Sequence, residues 1–405
     1  MQLKIKLNHR QQKFIFLSVI TAIYVILIIW RDFLQGAYLW DESHYWKTTL
    51  VFSERLLPGI DELRNYQELS TPLPFIVFGM LQHLFDGGIF LGRLFNLILS
   101  CVMAFTIGYP SRNKRKQSIL CVIGLFLCPY YLFYSGLLYT DIFASFWVLI
   151  GVVCYVRNRH LLSCISLICA IASRQYMLAF PLAIASYEFY LTTTLLIRQR
   201  KISLVKQWRW LAPLVACLSI FGWIYLFQGL APEAGIEVSP TPEVQKTLWA
   251  VTPGGAINFL AFVGLYVVIP EFILFQSWAK HELKEQRAKI IFIAVGLLVC
   301  FSIFPPLLQG HGIVKKLTDL LPYNILKLAF FYCLSLITCV RFFKPKLISF
   351  IVLFNSLIMI KAYPWDKYIL PLAIVFWYLK SIGFEEVVGE KLRTIPIKLK
   401  FKLSK

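Results

Sequence analysis

Asp41, Glu42 and His44 stand almost side by side in the stretch Trp40-Asp41-Glu42-Ser43-His44-Tyr45. A carboxylate can take a proton from a hydroxyl, and a second acid or an imidazole can hold that group in place. The cluster therefore suits proton transfer or cation binding. A solvated acidic turn would look the same in isolation, and position separates the two. An apolar run from Phe14 to Trp30 comes immediately before, close to the roughly 17 residues that a membrane span needs. The basic leader Lys4, Lys6, Arg10 and Lys13 holds the amino terminus on the cytoplasmic side. The acids then emerge on the far face, just past the lipid. No metal is expected there, because three ligands crowded along one turn are too few.

Further polar residues punctuate apolar runs at the same depth. Tyr139-Thr140-Asp141 opens one crossing, Arg174-Gln175 interrupts another, and Tyr363-Pro364-Trp365-Asp366-Lys367-Tyr368 precedes the last. Taken singly, Asp141 and Arg174 could be a structural ion pair and Lys367 a snorkelling anchor. Together they put acids, an imidazole and two cations from four segments on one face. Carboxylates with Arg and Lys at the lipid boundary suit a substrate with an anionic headgroup and a lipid tail.

The elements that carry these residues are membrane helices. The 405 residues are 58% hydrophobic and 16% aromatic with only 15% charged, which fixes an all-α polytopic membrane protein. The net charge of +20 does not signal nucleic acid. Its basic residues cluster in short links at 112–116, 157–160, 198–201 and 341–346 and in the tail. That is the positive-inside pattern, with attraction to membrane lipids as a secondary effect. From Asp41 to Ser70, by contrast, six acids face three Lys or Arg. All ten cysteines lie in apolar runs, so neither disulfides nor a thiolate metal site is expected.

The chain reads as a single transmembrane domain over 1–405. The first span covers 14–31 and is read as a retained helix, since no small-residue cleavage site follows it. Residues 36–85 form an outer catalytic loop with juxtamembrane helices. Apolar residues recur at helical spacing from Trp46 to Leu57, Ser70-Thr71-Pro72 marks a helix start, and Gly87-Gly88 ends the piece from Leu73. The remaining spans fall within 89–384: 89–109, 118–134, 141–156, 161–175, 177–196, 209–228, 256–277, 290–305, 323–340, 347–361 and 368–384. Run length gives about 12 spans in all. Residues 385–405 form a basic cytoplasmic tail, and 229–255 is a second outer loop.

These residues resemble the GT-C glycosyltransferases. The likeness lies in Asp41-Glu42 after the first helix, in Thr71-Pro72-Leu73-Pro74 and in Arg93-Leu94-Phe95-Asn96. Within that superfamily the chain is most similar to the α-1,2-glucosyltransferases that add the last glucose to the lipid-linked oligosaccharide of asparagine-linked glycosylation. Asp41-Glu42-Ser43-His44, Ser70-Thr71-Pro72, Leu138-Tyr139-Thr140-Asp141, Arg174-Gln175 and Lys367-Tyr368-Ile369-Leu370-Pro371 carry that likeness. The family tends to have Glu where Asp141 stands and Arg where Lys367 stands.

The resemblance implies transfer of a hexose, glucose in particular, from a polyprenyl-phosphate-linked donor. The acceptor would be a glycan or a lipid-linked glycan on the outer face, and the anomeric centre would invert. The chemistry fits: an acceptor hydroxyl needs a base, whereas a phosphate leaving group needs only cations. Asp41 is the expected base, with Glu42, His44 and Asp141 supporting catalysis. Thr71, Tyr139, Arg174, Gln175, Lys367 and Tyr368 are expected to bind substrate, and no cofactor is implied. The expected location is a bacterial inner membrane with the site on its periplasmic face, or the ER membrane with a lumenal site in a eukaryote. The alternative is a transporter or flippase for an anionic lipid or solute, with Asp141, Glu188, Glu271 and Arg174 coupling protons.

Overall fold

The computed structural model describes residues 9–109, 115–199, 204–238, 242–275 and 287–384. Residues 112–114 and 200–201 of the basic links and the tail from 385 lie outside the described residues. Among the described residues the fold is helical throughout, as expected, and backbone pairing across strands is confined to one bridge between His311 and Trp365.

Helix α1 (His9–Trp30) stands at the expected first span, and the loop that follows carries three helices: α2 (Glu42–Val51), α3 (Ile60–Arg64) and α4 (Leu73–Phe85). Helix α4 starts behind Pro72 with Pro74 in its first turn, where the missing N–H costs nothing. It ends at Asp86 in the left-handed conformation, before Gly88. Helix α4 packs on α2 so closely that a methyl group at Gly79 would lie 2.6 Å from the Phe52 carbonyl.

Helix α5 (Ile89–Gly108) is the keel of the molecule. Arg93, Asn96 and Ser100 share one buried face at helical spacing. Helices α6 (Arg115–Phe126) and α7 (Pro129–Ser135) together correspond to the expected crossing at 118–134, which is not straight. The two are bent by 75°. Pro129 disfavours helical backbone at Cys128, which is extended instead. Next come α8 (Thr140–Val156), α9 (His160–Ile171), α10 (Ala179–Gln199) and α11 (Leu204–Phe227). Arg174 lies in extended backbone between α9 and a short 3-10 turn at Gln175–Leu178, so the expected 161–175 crossing ends before it.

The loop after α11 holds α12 (Glu233–Val238) and α13 (Glu243–Lys246). A helix from Gly254 to Leu274 follows, made of α14 (Gly254–Val263), a π segment at Gly264–Val268 and α15 (Ile269–Leu274). The last helices are α16 (Arg287–Ile303), α17 (Ile313–Asp319), α18 (Asn324–Arg341), α19 (Leu347–Ile358) and α20 (Leu370–Ile382).

By length and apolarity, four described helices can cross a membrane: Ile89–Gly108, Trp208–Phe227, Gly254–Leu274 and Asn324–Arg341. The bent α6–α7 pair raises the count to five at most. Apolar helices of 10–17 residues stand at other expected crossings, among them Thr140–Val156 and His160–Ile171. The expected count of about twelve therefore exceeds what helix length supports. Turns and prolines divide apolar runs into pieces of only about 15–25 Å at 1.5 Å per residue.

Two ends of the bundle are chemically distinct. Helix α8 has Asp141 in its first turn and Tyr155 in its last, roughly 21 Å apart along the axis. Lys367 just precedes α20 and Lys380 lies in its last turn. At the far end Glu271 takes Arg341 at 2.6 Å and Lys380 at 2.7 Å, and Tyr155 donates to Glu188 at 2.5 Å. The basic clusters at 157–160 and 341–346 belong to this same end.

Candidate active site

The near end gathers most of the residues singled out above. Helix α5 sets their spacing. Arg93 grips Glu42 with two bonds of 2.7 Å and also donates to the carbonyls of Leu34, Gly36 and Ala37. One turn on, Asn96 donates to the carbonyls of Leu137 at 2.8 Å and Tyr139 at 2.9 Å. One face of one helix thus fixes both the start of α2, where Asp41 sits, and the start of α8, where Asp141 sits. Glu42 is fully buried and also accepts the amides of Leu39 and Leu138. Its carboxylate is taken up by these four bonds, which anchor the start of α2 next to Asp41.

Asp41 remains open. Its side chain is 39% exposed and lies 3.2 Å from the ammonium of Lys367, which is 2% exposed. The Asp41 backbone N–H donates to the Tyr139 hydroxyl at 3.2 Å. Tyr139 stacks on Tyr134 at 4.4 Å, and Tyr45 meets its edge at 5.4 Å. Lys367 rests 3.4 Å above the Trp365 ring, an attraction that replaces part of its lost hydration. Burial still draws its pKa down, with Asp141 and Asp41 opposing.

Asp366 explains why Lys367 stands there. Its buried carboxylate accepts from the hydroxyls of Tyr130 and Tyr266 and from the amide of Val314. His311 N–H bonds the Pro364 carbonyl beside it. The turn at 364–367 is therefore nailed to α7, the π segment and the start of α17. That fixes the backbone from which Lys367 reaches Asp41.

Behind Asp41 lies a second ion pair. Arg174 donates to Asp141 at 2.9 Å, to the Thr140 hydroxyl at 2.7 Å and to the Tyr45 hydroxyl at 3.0 Å. Tyr176 donates to the other Asp141 oxygen at 2.9 Å, and Tyr368 packs edge-on against Tyr176 at 5.2 Å. Arg174 and Asp141 are both buried.

Other expected site residues are placed differently. The Thr71 hydroxyl donates to the Ile171 carbonyl at 2.7 Å and is fully buried, so it clasps the loop before α4 to α9. Gln175 donates to the carbonyls of Leu69 and Leu230, tying the loop before α4 to the loop after α11. His44 lies one turn along α2 from Asp41 and is exposed.

Glu68, Tyr45 and Tyr176 were not singled out in the sequence, yet they share this neighbourhood. Burial pushes the Glu68 carboxyl up to about 8, with the charges of Arg174, Asp41 and Lys367 acting on it. An acid two residues ahead of a Ser-Thr-Pro helix start reads as a solvated loop charge, and no spacing rule sets it apart. Among the described residues no group of His, Cys, Asp and Glu has the arrangement of a metal site.

The model of the DIE2/ALG10 family matches residues 76–350, about two thirds of the chain. The chain belongs to this family. Its members are α-1,2-glucosyltransferases of the ER, in keeping with the resemblance drawn from the short motifs. The chain is accordingly a membrane glycosyltransferase. The matched stretch contains Arg93, Tyr139, Asp141, Arg174 and Gln175. Asp41, Glu42, His44, Glu68 and Thr71 precede it, and Lys367 and Tyr368 follow it. No curated protein and no solved structure matches the chain significantly.

Proposed function

We propose that the chain transfers glucose from a polyprenyl-phosphate-linked donor to a hydroxyl of a glycan or lipid-linked glycan, inverting the anomeric centre in a single displacement. The observation that carries this reading is the Asp41–Lys367 pair, an open carboxylate 3.2 Å from a buried ammonium. Asp41 takes the proton of the acceptor hydroxyl as its oxygen attacks the anomeric carbon. The bond from that carbon to the phosphate oxygen breaks, and the electron pair stays on the phosphate. Lys367 meets the charge that develops there, with the field of Arg174 behind it. An inverting transfer that yields an α linkage starts from a β-linked donor. Glu42 and Tyr139 hold Asp41 in place, and His44, one turn along α2 and exposed, is available to meet the acceptor.

The topology that supports this chemistry puts the charged cluster on the extracytoplasmic face and the basic links at 157–160 and 341–346 on the cytoplasmic face. Transport finds less support. Glu271 and Glu188, the acids that would relay protons, sit at the opposite end from Asp141 and are held there by Arg341, Lys380 and Tyr155.

The test is transfer by purified full-length protein from β-linked polyprenyl-phosphoglucose to an oligosaccharide acceptor, with mass spectrometry of the product. New hexose in an α linkage supports the reading. Protein that binds neither substrate and transfers nothing sinks it.

A further inference from the structure

Glu68 stands at the edge of this site outside both of its ion pairs, Asp41–Lys367 and Asp141–Arg174. Its backbone is clamped on three sides. Gln175 holds the Leu69 carbonyl at 2.6 Å, and the Tyr66 hydroxyl holds the Ser70 carbonyl at 2.7 Å. Gly235 of α12 presses so close that a methyl group there would lie 2.7 Å from the Glu68 carbonyl oxygen. The backbone that carries this carboxyl is thereby held beside Gln175 and α12.

Charge balance then decides the form in which it serves. Asp41 and Asp141 are offset by Lys367 and Arg174, so the cluster sums to zero with Glu68 neutral and to −1 with it ionised. A polyprenyl-phosphosugar is a phosphodiester and brings one more negative charge. Two like charges in a partly desolvated pocket repel, whereas a neutral carboxyl offers an O–H donor to a phosphoryl oxygen.

We propose that Glu68 contacts the donor in its protonated form, giving its O–H to a phosphoryl oxygen of the phosphodiester. The proposal rests on the polyprenyl-phosphate reading above. Burial acts in the same direction, pushing the Glu68 carboxyl up to about 8. The groups facing it are Asp41, Arg174 and Lys367, Tyr45 of α2 and Tyr66 of its own loop. On α12, Glu233 and Glu237 are exposed.

The experiment is equilibrium binding of short-chain β-linked polyprenyl-phosphoglucose to the detergent-solubilised full chain. The diester charge is constant across the range, so it adds no pH dependence of its own. Affinity of the unaltered protein should fall about tenfold between about pH 7 and about pH 9, as expected when only the neutral form of a group titrating near 8 binds. Glu68→Gln keeps a donor of the same size and cannot ionise, so it should bind about as well at the lower pH and escape that fall. Glu68→Ala lacks the donor and should bind weakly throughout. Equal pH dependence in the unaltered protein and Glu68→Gln overturns the proposal, as does Glu68→Ala binding as tightly as Glu68→Gln. If the unaltered protein binds no phosphodiester at any pH, the donor reading fails as well.

Discussion

The division of labour between Asp41 and Glu42 turns on one difference. Glu42 is closed off by four bonds, and Asp41 has water on one side and Lys367 on the other. Asp41→Asn preserves size and removes the proton acceptor, so turnover should fall at least about 100-fold at near-normal expression. Near-native transfer by that variant would move the base elsewhere. Lys367→Met keeps the stacking on Trp365 and removes the charge, so donor affinity should drop while the protein still folds. Donor titrations of the two proteins compare directly. Glu68 also leaves a mark on stability. Its carboxyl shifts from about 4.5 to about 8 on folding. Between those values the folded chain holds a proton that the unfolded chain has released, so stability falls as pH rises through the window and is level above it. Melting curves of Glu68→Gln should show a shallower decline over that range, and an unchanged slope would mean that Glu68 does not titrate there.

Among the elements, α5 carries the greatest responsibility, because its Arg93 and Asn96 tie the Asp41 helix to the Asp141 helix. Removing one partner of the buried Arg93–Glu42 pair strands a charge in the interior. Arg93→Leu or Glu42→Leu should each cost about 3–5 kcal/mol, and the double change should cost less than the sum. Thermal melts in detergent read this out, and strict additivity would show that the two side chains do not depend on each other. The α2–α4 contact makes a separate claim. Gly79→Ala would push a methyl group into the Phe52 backbone and should destabilise by about 1–3 kcal/mol. Activity should suffer beyond that loss, since α2 carries Asp41 at its start. Unchanged activity in the folded fraction would separate the contact from the site.

For the molecule as a whole, the two ends must face opposite compartments. Single cysteines at Leu57 and Trp249, both strongly exposed, sit in the two loops proposed to face outward, and one at Arg159 belongs to the basic end. In a background lacking the native ten cysteines, an impermeant thiol reagent should label the first two in sealed cells. The third should react only after the membrane is opened. Labelling in the reverse pattern would place Asp41 in the cytoplasm and remove the case for a lipid-linked donor presented on the outer face. The comparison needs no knowledge of the sugar or the acceptor, so it tests the frame independently of the chemistry.

Much of this was readable in the chain itself. Apolar run length and the crowding of Lys and Arg into links dictate a helical membrane protein, because hydrocarbon tolerates only internally bonded backbone. The short motifs around Asp41, Asp141, Arg174 and Lys367 likewise named the family before any geometry was known, and four of those side chains do converge. What sequence could not give was the state of each group. Local spacing does not say that Glu42 spends itself on Arg93, that Thr71 and Gln175 are clasps, or that Glu68 is drawn in beside Asp41 and Lys367. Those outcomes depend on contacts between segments up to 326 residues apart, where burial, charge and hydrogen-bond supply are set by neighbours that only the fold brings near. The run at 118–134 shows the same limit at the scale of an element: its length permits a straight span, and Pro129 with its tertiary surroundings turns it by 75°.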